Sequence, residues 1–462
     1  MKKFTKFALM LLFGAFALGF TSCSDDDDNT TADATQLDVT SSSSTLSNIV
    51  TNYVDNVVNP TYADLHNAAV ELHTACAALN AKRQAGNVEQ SDIDACCDAF
   101  KKARRFWEQS EAFLYGAATN DELDPHMDSW PLDQTQLANA LTSPSVIAGI
   151  NGQGGMSDAQ FVYQNNGDFD STLGFHGLEF ILFRNGQNRL ASEFNQEKEL
   201  ANGLNTKGDN LAQNQAKLQA VSNKDEAAFA DAVSQDIQNI TALLEYEWTG
   251  SNDLQTYLTN NAQWVLNGSA HNGKTSTGST YDEAVTTVGG TNSLFATWPL
   301  NLHNIFVGGC SNISQEVYTQ KLAQAYRVAI GRPEVGEEGA DAADYIESPY
   351  SHRSFQDYQD NIYSIRNTLY GTRGASENNE TVSPVQNSLM TYLQQNNPTL
   401  YNDLNNALNN ALNTLQKAKT SGKAFVDAPG DQQVADCIAA VQALDDELNV
   451  VGTWCSRHIS VN

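Results

Sequence analysis

Apolar side chains recur at three- and four-residue intervals along most of this chain, a spacing that gathers them on one face of an α-helix. Leu65, Ala69, Leu72, Cys76 and Leu79 form one such stripe. Phe229, Val233, Ile237, Ile240 and Leu244 form a second, and Leu400, Leu404, Ala407, Leu408, Ala411 and Leu415 a third. Alternating strand patterns are nearly absent. A one-faced helix has to bury its stripe against other helices, so an all-α bundle fold is expected.

Local punctuation divides the helices. Ser91 and Asp94 make a capping-box pattern ahead of Ala99, Ala103, Phe106, Ser110 and Phe113, with Gly116 as the stop. Ser354 and Asp357 repeat it ahead of Tyr358, Ile362, Ile365 and Leu369, with Gly371 as the stop. Val317, Ala325 and Val328 precede Gly331, Ser383-Pro384 is read as a helix start, and a last helix is expected over about 431–450. The stretches 151–170, 267–293 and 333–344 read as loops. The second is long for a compact domain and marks the expected break between two halves, 45–265 and 266–462. Trp130-Pro131-Leu132-Asp133 is echoed by Trp298-Pro299-Leu300-Asn301, which suggests that the halves are similar.

The N-terminus has the layout of a secretory signal. Lys2, Lys3 and Lys6 precede an apolar run from Phe7 to Phe20, too short for a permanent span. The run ends at Thr21-Ser22-Cys23, which resembles a bacterial lipobox. Residues 1–22 are therefore read as a lipoprotein signal peptide, and Cys23 as the lipidated residue that ties the protein to a membrane. Asp25 to Asp28 and a Ser/Thr-rich tract to residue 44 read as a disordered tether. An acidic run in that position resembles the surface-export signal of Bacteroidetes lipoproteins. An outer-membrane, surface-exposed location is expected, with a periplasm-facing one as the alternative.

The net charge of −29, from 55 acidic and 26 basic residues, repels nucleic acid and anionic lipid and favours cations. Cys76, Cys96, Cys97, Cys310, Cys437 and Cys455 show no CxxC or finger spacing, and are read as small buried residues on helix faces.

Three segments could carry chemistry. In Gly174-Phe175-His176-Gly177-Leu178-Glu179, a helix would put His176 and Glu179 on one face at i and i+3. That pair either binds a cation or forms a core hydrogen bond. No second histidine follows, so the HExxH arrangement is missing. In the second segment, Trp107 and Glu111 share a face, and Glu111 falls among apolar neighbours, where a carboxylate needs an Arg or a cation. The third, 345–354, reads as a helix-capping loop that carries Glu347, Ser351 and His352.

Together these segments resemble the imelysin family. Gly174, His176 and Glu179 match its GxHxxE motif, and Trp107, Ser110, Glu111, Phe113 and Gly116 its first-half signature. Trp130 to Asp133, Glu347-Ser348-Pro349-Tyr350-Ser351 and Asp360-Asn361 are similar to its later elements. Ser351-His352-Arg353 and the 267–293 loop have no match. The resemblance implies two similar four-helix bundles packed side by side, with a site at their interface. His176, Glu179 and Glu111 would be metal ligands there, and Trp107, Trp130, Asp133, Glu347 and Ser351 would line it. It also implies a cell-envelope protein tied to iron.

The expected function is capture of a divalent or trivalent metal ion (iron is the expected one) or of an iron chelate, for transfer to an uptake partner. A metallopeptidase using His176 and Glu179 is one alternative, although a zinc protease needs two or three protein ligands, an activating carboxylate and an open position for water, which one histidine with several carboxylates fits poorly. Glycan binding at the cell surface is the other.

Overall fold

A computed structural model describes residues 37–169, 172–196, 221–336, 339–374 and 381–462. The signal peptide, Cys23 and the acidic run lie outside the described residues. Inside the stretch read as tether, Val39–Ser41 form a strand, β1, and Ser43 opens the first helix.

Helix α1 (Ser43–Tyr53) is capped by Ser42, whose side chain accepts from the Thr45 amide. A π-helical turn over Val54–Val58 carries it into α2 (Asn59–Ala85), which stops at Gly86 in the left-handed conformation. The stripe Leu65, Ala69, Leu72, Cys76 and Leu79 is wholly buried. Helices α3 (Gln90–Glu108), α4 (Phe175–Leu182) and α5 (Asn223–Thr249) complete the first bundle, with α2 packed between α3 and α5. The second is built from α6 (Gly309–Glu316), α7 (Ser354–Tyr370), α8 (Pro398–Lys419) and α9 (Gln432–His458). Strand β2 (Ile459–Val461) pairs in parallel with β1, so the start of the described chain is tied to its end.

Helix α7 joins the two sets. Nearly every residue from Ser354 to Tyr370 is buried, because α7 packs on α3 and the Glu111–Phe113 turn on one side and on α6 and α8 on the other. It carries Asp357, Asp360 and Asn361 into the interior.

Several local expectations change. The capping box of α3 is Glu89 with Asp92, not Ser91 with Asp94. Asp94 instead accepts from Gln90 and Asn188, which draws it to the 183–188 hairpin. Helix α3 ends at Glu108 rather than Gly116, and its buried face is Ile93, Cys96, Cys97, Phe100, Ala103, Arg104, Trp107 and Glu108. Ser354 and Asp357 form no box. The Ser354 hydroxyl donates to the Glu347 carbonyl, and Asp357 accepts from Ser348. Ser383-Pro384 opens no helix; Ser388 caps one at Leu389–Asn396. The 151–170 stretch holds a helix at Asp158–Asn165, and 333–344 a short hairpin. The Trp-Pro echo is not a structural repeat: Trp298 begins a helix, whereas Trp130 lies in an irregular segment. All six cysteines after Cys23 are buried as free thiols.

A polar seam also joins α2 to α5. His73 Nδ1 lies 2.8 Å from Gln238 Oε1, and its Nε2 3.4 Å from Asp231. Burial lowers its pKa, but Asp231 and Gln238 outweigh that and raise it. A raised folded-state value means stability that is complete below about pH 6.5 and fades as pH rises through the folded pKa. His73→Asn is therefore expected to cost up to about 1 kcal/mol near pH 6, and less near pH 9. Thermal unfolding of both proteins at the two pH values checks this.

Candidate functional site

The site is assembled from six segments. From α3 come Arg104, Trp107 and Glu108, all fully buried, and Glu111 follows in a 3₁₀ turn. Asp128 ends a short helix over Leu123–Asp128. Helix α4 brings His176 and Glu179, Lys321 closes a π-helical turn over Val317–Lys321, and the 347–351 loop brings Glu347 and Ser351.

The glycines of the GxHxxE motif explain how α4 reaches this place. A Cβ on Gly174 would stand 2.3 Å from the Met127 carbonyl oxygen, and one on Gly177 would stand 2.0 Å from that of Thr172. Only bare backbone fits such approaches. Docking Gly174 on Met127 sets His176 beside Asp128, with Nε2 3.0 Å from Oδ1, off line for a hydrogen bond. On its other side Nδ1 lies 3.6 Å from Glu179 Oε2.

Glu179 is held from one side only. Its Oε1 accepts the Ser351 hydroxyl at 2.7 Å, the Ser351 amide at 2.8 Å and the Tyr350 amide at 3.1 Å. Its Oε2, buried and without a hydrogen-bond donor, faces the imidazole. Two charged side chains that the sequence reading passed over organise the rest. Arg104 contacts Glu108, Asp128 and Glu347. Lys321 Nζ lies 3.1 Å from Glu347 and 3.8 Å from Glu316. Trp107 donates its indole N–H to Asp128 Oδ2 at 2.7 Å, and Asn361 of α7 donates to Glu108.

These neighbours set the ionisation. Burial opposes charge on His176, but Asp128 and Glu179 outweigh it and lift the imidazole to about 9. Burial also works against the Asp128 carboxylate, yet Arg104 and His176 hold it well below the usual carboxylate range. Burial raises the Glu108 and Glu111 carboxyls far above theirs, Arg104 and Lys321 respectively offsetting only part of the effect. Asp124, half-buried nearby, is lifted to about 7 by burial and by Asp128. Five carboxyl groups, Glu108, Glu111, Asp128, Glu179 and Glu347, thus face two fixed cations and one imidazole.

Two sets of ligand atoms lie within 4.8 Å of one another: Asp128, His176 and Glu347, and Glu108, Glu111 and Asp128. Asp128 belongs to both, and Arg104 touches members of both. The mixed N/O donors suit a transition-metal cation. A cation there would be neutralised by the surplus carboxylates, provided the imidazole yields its proton.

Of the residues singled out in the sequence, the structure brings His176, Glu179, Glu347 and Ser351 together, with Glu111 and Trp107 adjoining. Trp130 is half-buried, 4.3 Å from the Tyr345 ring and under Lys321. Asp133 does not join them. It is exposed and spends its carboxylate on the Gln136 amide as the N-cap of Gln134–Ala140. Asp128, Arg104, Glu108 and Lys321 went unread. For Arg104 and Glu108 a signal existed: with Phe100, Ala103 and Trp107 they share the buried face of α3.

A helical body with a buried acid–imidazole cluster between two bundles defines the class. The imelysin profile, filed as a peptidase family, matches residues 58–450, and the chain belongs to the imelysin family. It is 32% identical over 131 residues to iron-regulated protein A of Synechococcus elongatus. That alignment covers 28% of this chain and 30% of the relative, so the chain matches under a third of that protein's length. A crystal structure described as an iron-regulated protein A precursor, from Parabacteroides distasonis, superposes with a TM-score of 0.66 at 24% identity, over 90% of this chain and 96% of the other. An imelysin-like protein from Psychrobacter arcticum gives 0.51 at 13% identity, over 91% and 96%. These likenesses establish the fold. No helix among the described residues is long and apolar enough to cross a membrane.

Proposed function

We propose that this imelysin-family protein is an exported lipoprotein, anchored through Cys23, that captures a metal ion or iron-bearing ligand at the cluster around His176. Iron is the expected metal, and delivery to an uptake partner in the envelope the expected use. One observation carries the reading: five buried carboxyl groups meet two fixed cations and one imidazole, so the cluster balances its charge only by keeping protons on Glu108, Glu111 and His176, and Glu179 Oε2 faces His176 without a hydrogen-bond donor. Such an arrangement is costly as it stands, and a bound cation relieves it. The relatives named for iron regulation support iron as the metal to try first.

The test is metal content and titration with Fe(II), Fe(III) and Zn(II), on the chain from residue 37 and on its His176→Ala/Glu179→Ala variant. One metal per chain, bound at least tenfold more weakly by the variant, supports capture. Equal binding by both folded proteins, or none by either, sinks it. Chelator-sensitive cleavage of denatured protein that disappears in Glu179→Gln would replace it with peptidase chemistry.

A further inference from the structure

The 267–293 stretch, expected as one loop, holds a helix at Tyr281–Thr286, and the loop before it, over 269–280, covers a second acidic pair. Glu247 lies near the end of α5, fully buried, and neither carboxylate oxygen has a hydrogen-bond partner. Asp121, at the end of a short helix (Ala117–Asn120) that packs on α5, lies against it. Among the described residues no Lys or Arg forms an ion pair with either. Around them stand tyrosines, Trp248 and one loop cation, Lys274, whose Nζ lies 5.2 Å from the Tyr246 ring. Tyr281 accepts from Asn120 at 2.8 Å, and the Tyr163 hydroxyl abuts Gly268. The loop closes over the pair through Asp121, whose Oδ1 accepts the Ala270 amide at 2.8 Å, and is braced where Ser269 Oγ accepts from Gly273.

We propose that Glu247 and Asp121 hold a hard divalent cation of the calcium class, which pins the loop onto α5. A fully buried carboxyl without a donor, against a second, half-buried carboxyl, calls for a proton or a cation between them. A glutamate with both oxygens free is suited to bidentate binding, and an all-oxygen donor set prefers Ca²⁺ to a transition metal. Asp121 then couples occupancy to loop order, since the same carboxylate that would take the ion also holds Ala270.

The probe is calcium chloride, titrated calorimetrically at about pH 7.5 into the mature chain, Glu247→Gln and Asp121→Asn, with hydrogen exchange read at Ala270 and Gly273. One Ca²⁺ per chain is expected, with a dissociation constant on the order of 10⁻⁴–10⁻³ M, as in extracellular modules. Both variants should bind at least tenfold more weakly, and Ca²⁺ should slow exchange of the two amides only in the parent. The His176→Ala/Glu179→Ala variant should keep this Ca²⁺ response, which separates the loop site from the cluster. No Ca²⁺ response in the folded parent, or the same response in Glu247→Gln, overturns the proposal and leaves the two carboxyls sharing a proton.

Discussion

Replacing Arg104 by Met is expected to destabilise the protein by about 3–5 kcal/mol. Arg104 has no exposed surface and contacts Glu108, Asp128 and Glu347, which come from α3, the first-half segment before the site helix and the second-half loop. Removing it leaves those carboxylates buried without their shared counter-ion, and only Lys321, placed on Glu347, can answer for part of the loss. Lys at 104 would not restore it, because one ammonium cannot reach three carboxylates as a planar fork does. The deficit should shrink on acidification. Carboxyls left with a folded pKa above their unfolded value are stabilised below the unfolded value and penalised above it. Denaturant unfolding of Arg104→Met at about pH 5 and pH 8 reads both the size and the sign. Adding Glu108→Gln should return at least about 1 kcal/mol, since Glu108, unlike Glu347 with Lys321, has no second ion-pair partner among the described residues. A loss below about 1 kcal/mol at pH 8 would mean that the network is not the joint between the halves.

Arg104 also shows where sequence reading stops. The helices were legible because amphipathic spacing is a local property: every member of the Leu65–Leu79 stripe is buried where the periodicity puts it. His176 and Glu179 were legible through their motif, and the Glu347–Ser351 element through family likeness. Arg104 stands in the run Lys101 to Arg105, and such a run reads as a solvated face unless each residue is phased separately. Its neighbours Phe100 and Trp107 give that phase, at i−4 and i+3. Asp128 and Lys321 carry no comparable local signal, because what buries them is the meeting of segments far apart in the chain. The capping residues failed for a related reason. Ser354 and Asp357 have the spacing of a box, but tertiary partners at Glu347 and Ser348 take their side chains. Asp133, conversely, looked like a site residue and is a helix cap.

Gly177→Ala is expected to cost about 2–4 kcal/mol and to abolish metal capture, although it adds only one methyl group and touches no ligand. The added carbon would meet the Thr172 carbonyl oxygen at 2.0 Å, and the Phe229 ring at 3.2 Å. Backbone cannot swing aside as a side chain can, so α4 has to rotate or lift from the 172–174 segment. His176 and Glu179 ride on that helix, one residue before and two after the added methyl. A shift of even 1 Å would carry the imidazole off Asp128, and Glu179 Oε1 off its three donors at Tyr350 and Ser351. Because those donors belong to the second half, the same shift also loosens the joint that Arg104 holds. Gly167→Ala is the matched control. It has open space around the position where a Cβ would sit, and should change stability by less than about 0.5 kcal/mol. Denaturant unfolding and metal titration of the two variants separate the cases. Stability lost together with capture in Gly177→Ala, and neither in Gly167→Ala, means the glycine serves to let α4 dock. Intact capture in Gly177→Ala would show instead that the cluster tolerates displacement of α4, and that a bound cation does not depend on where that helix holds His176.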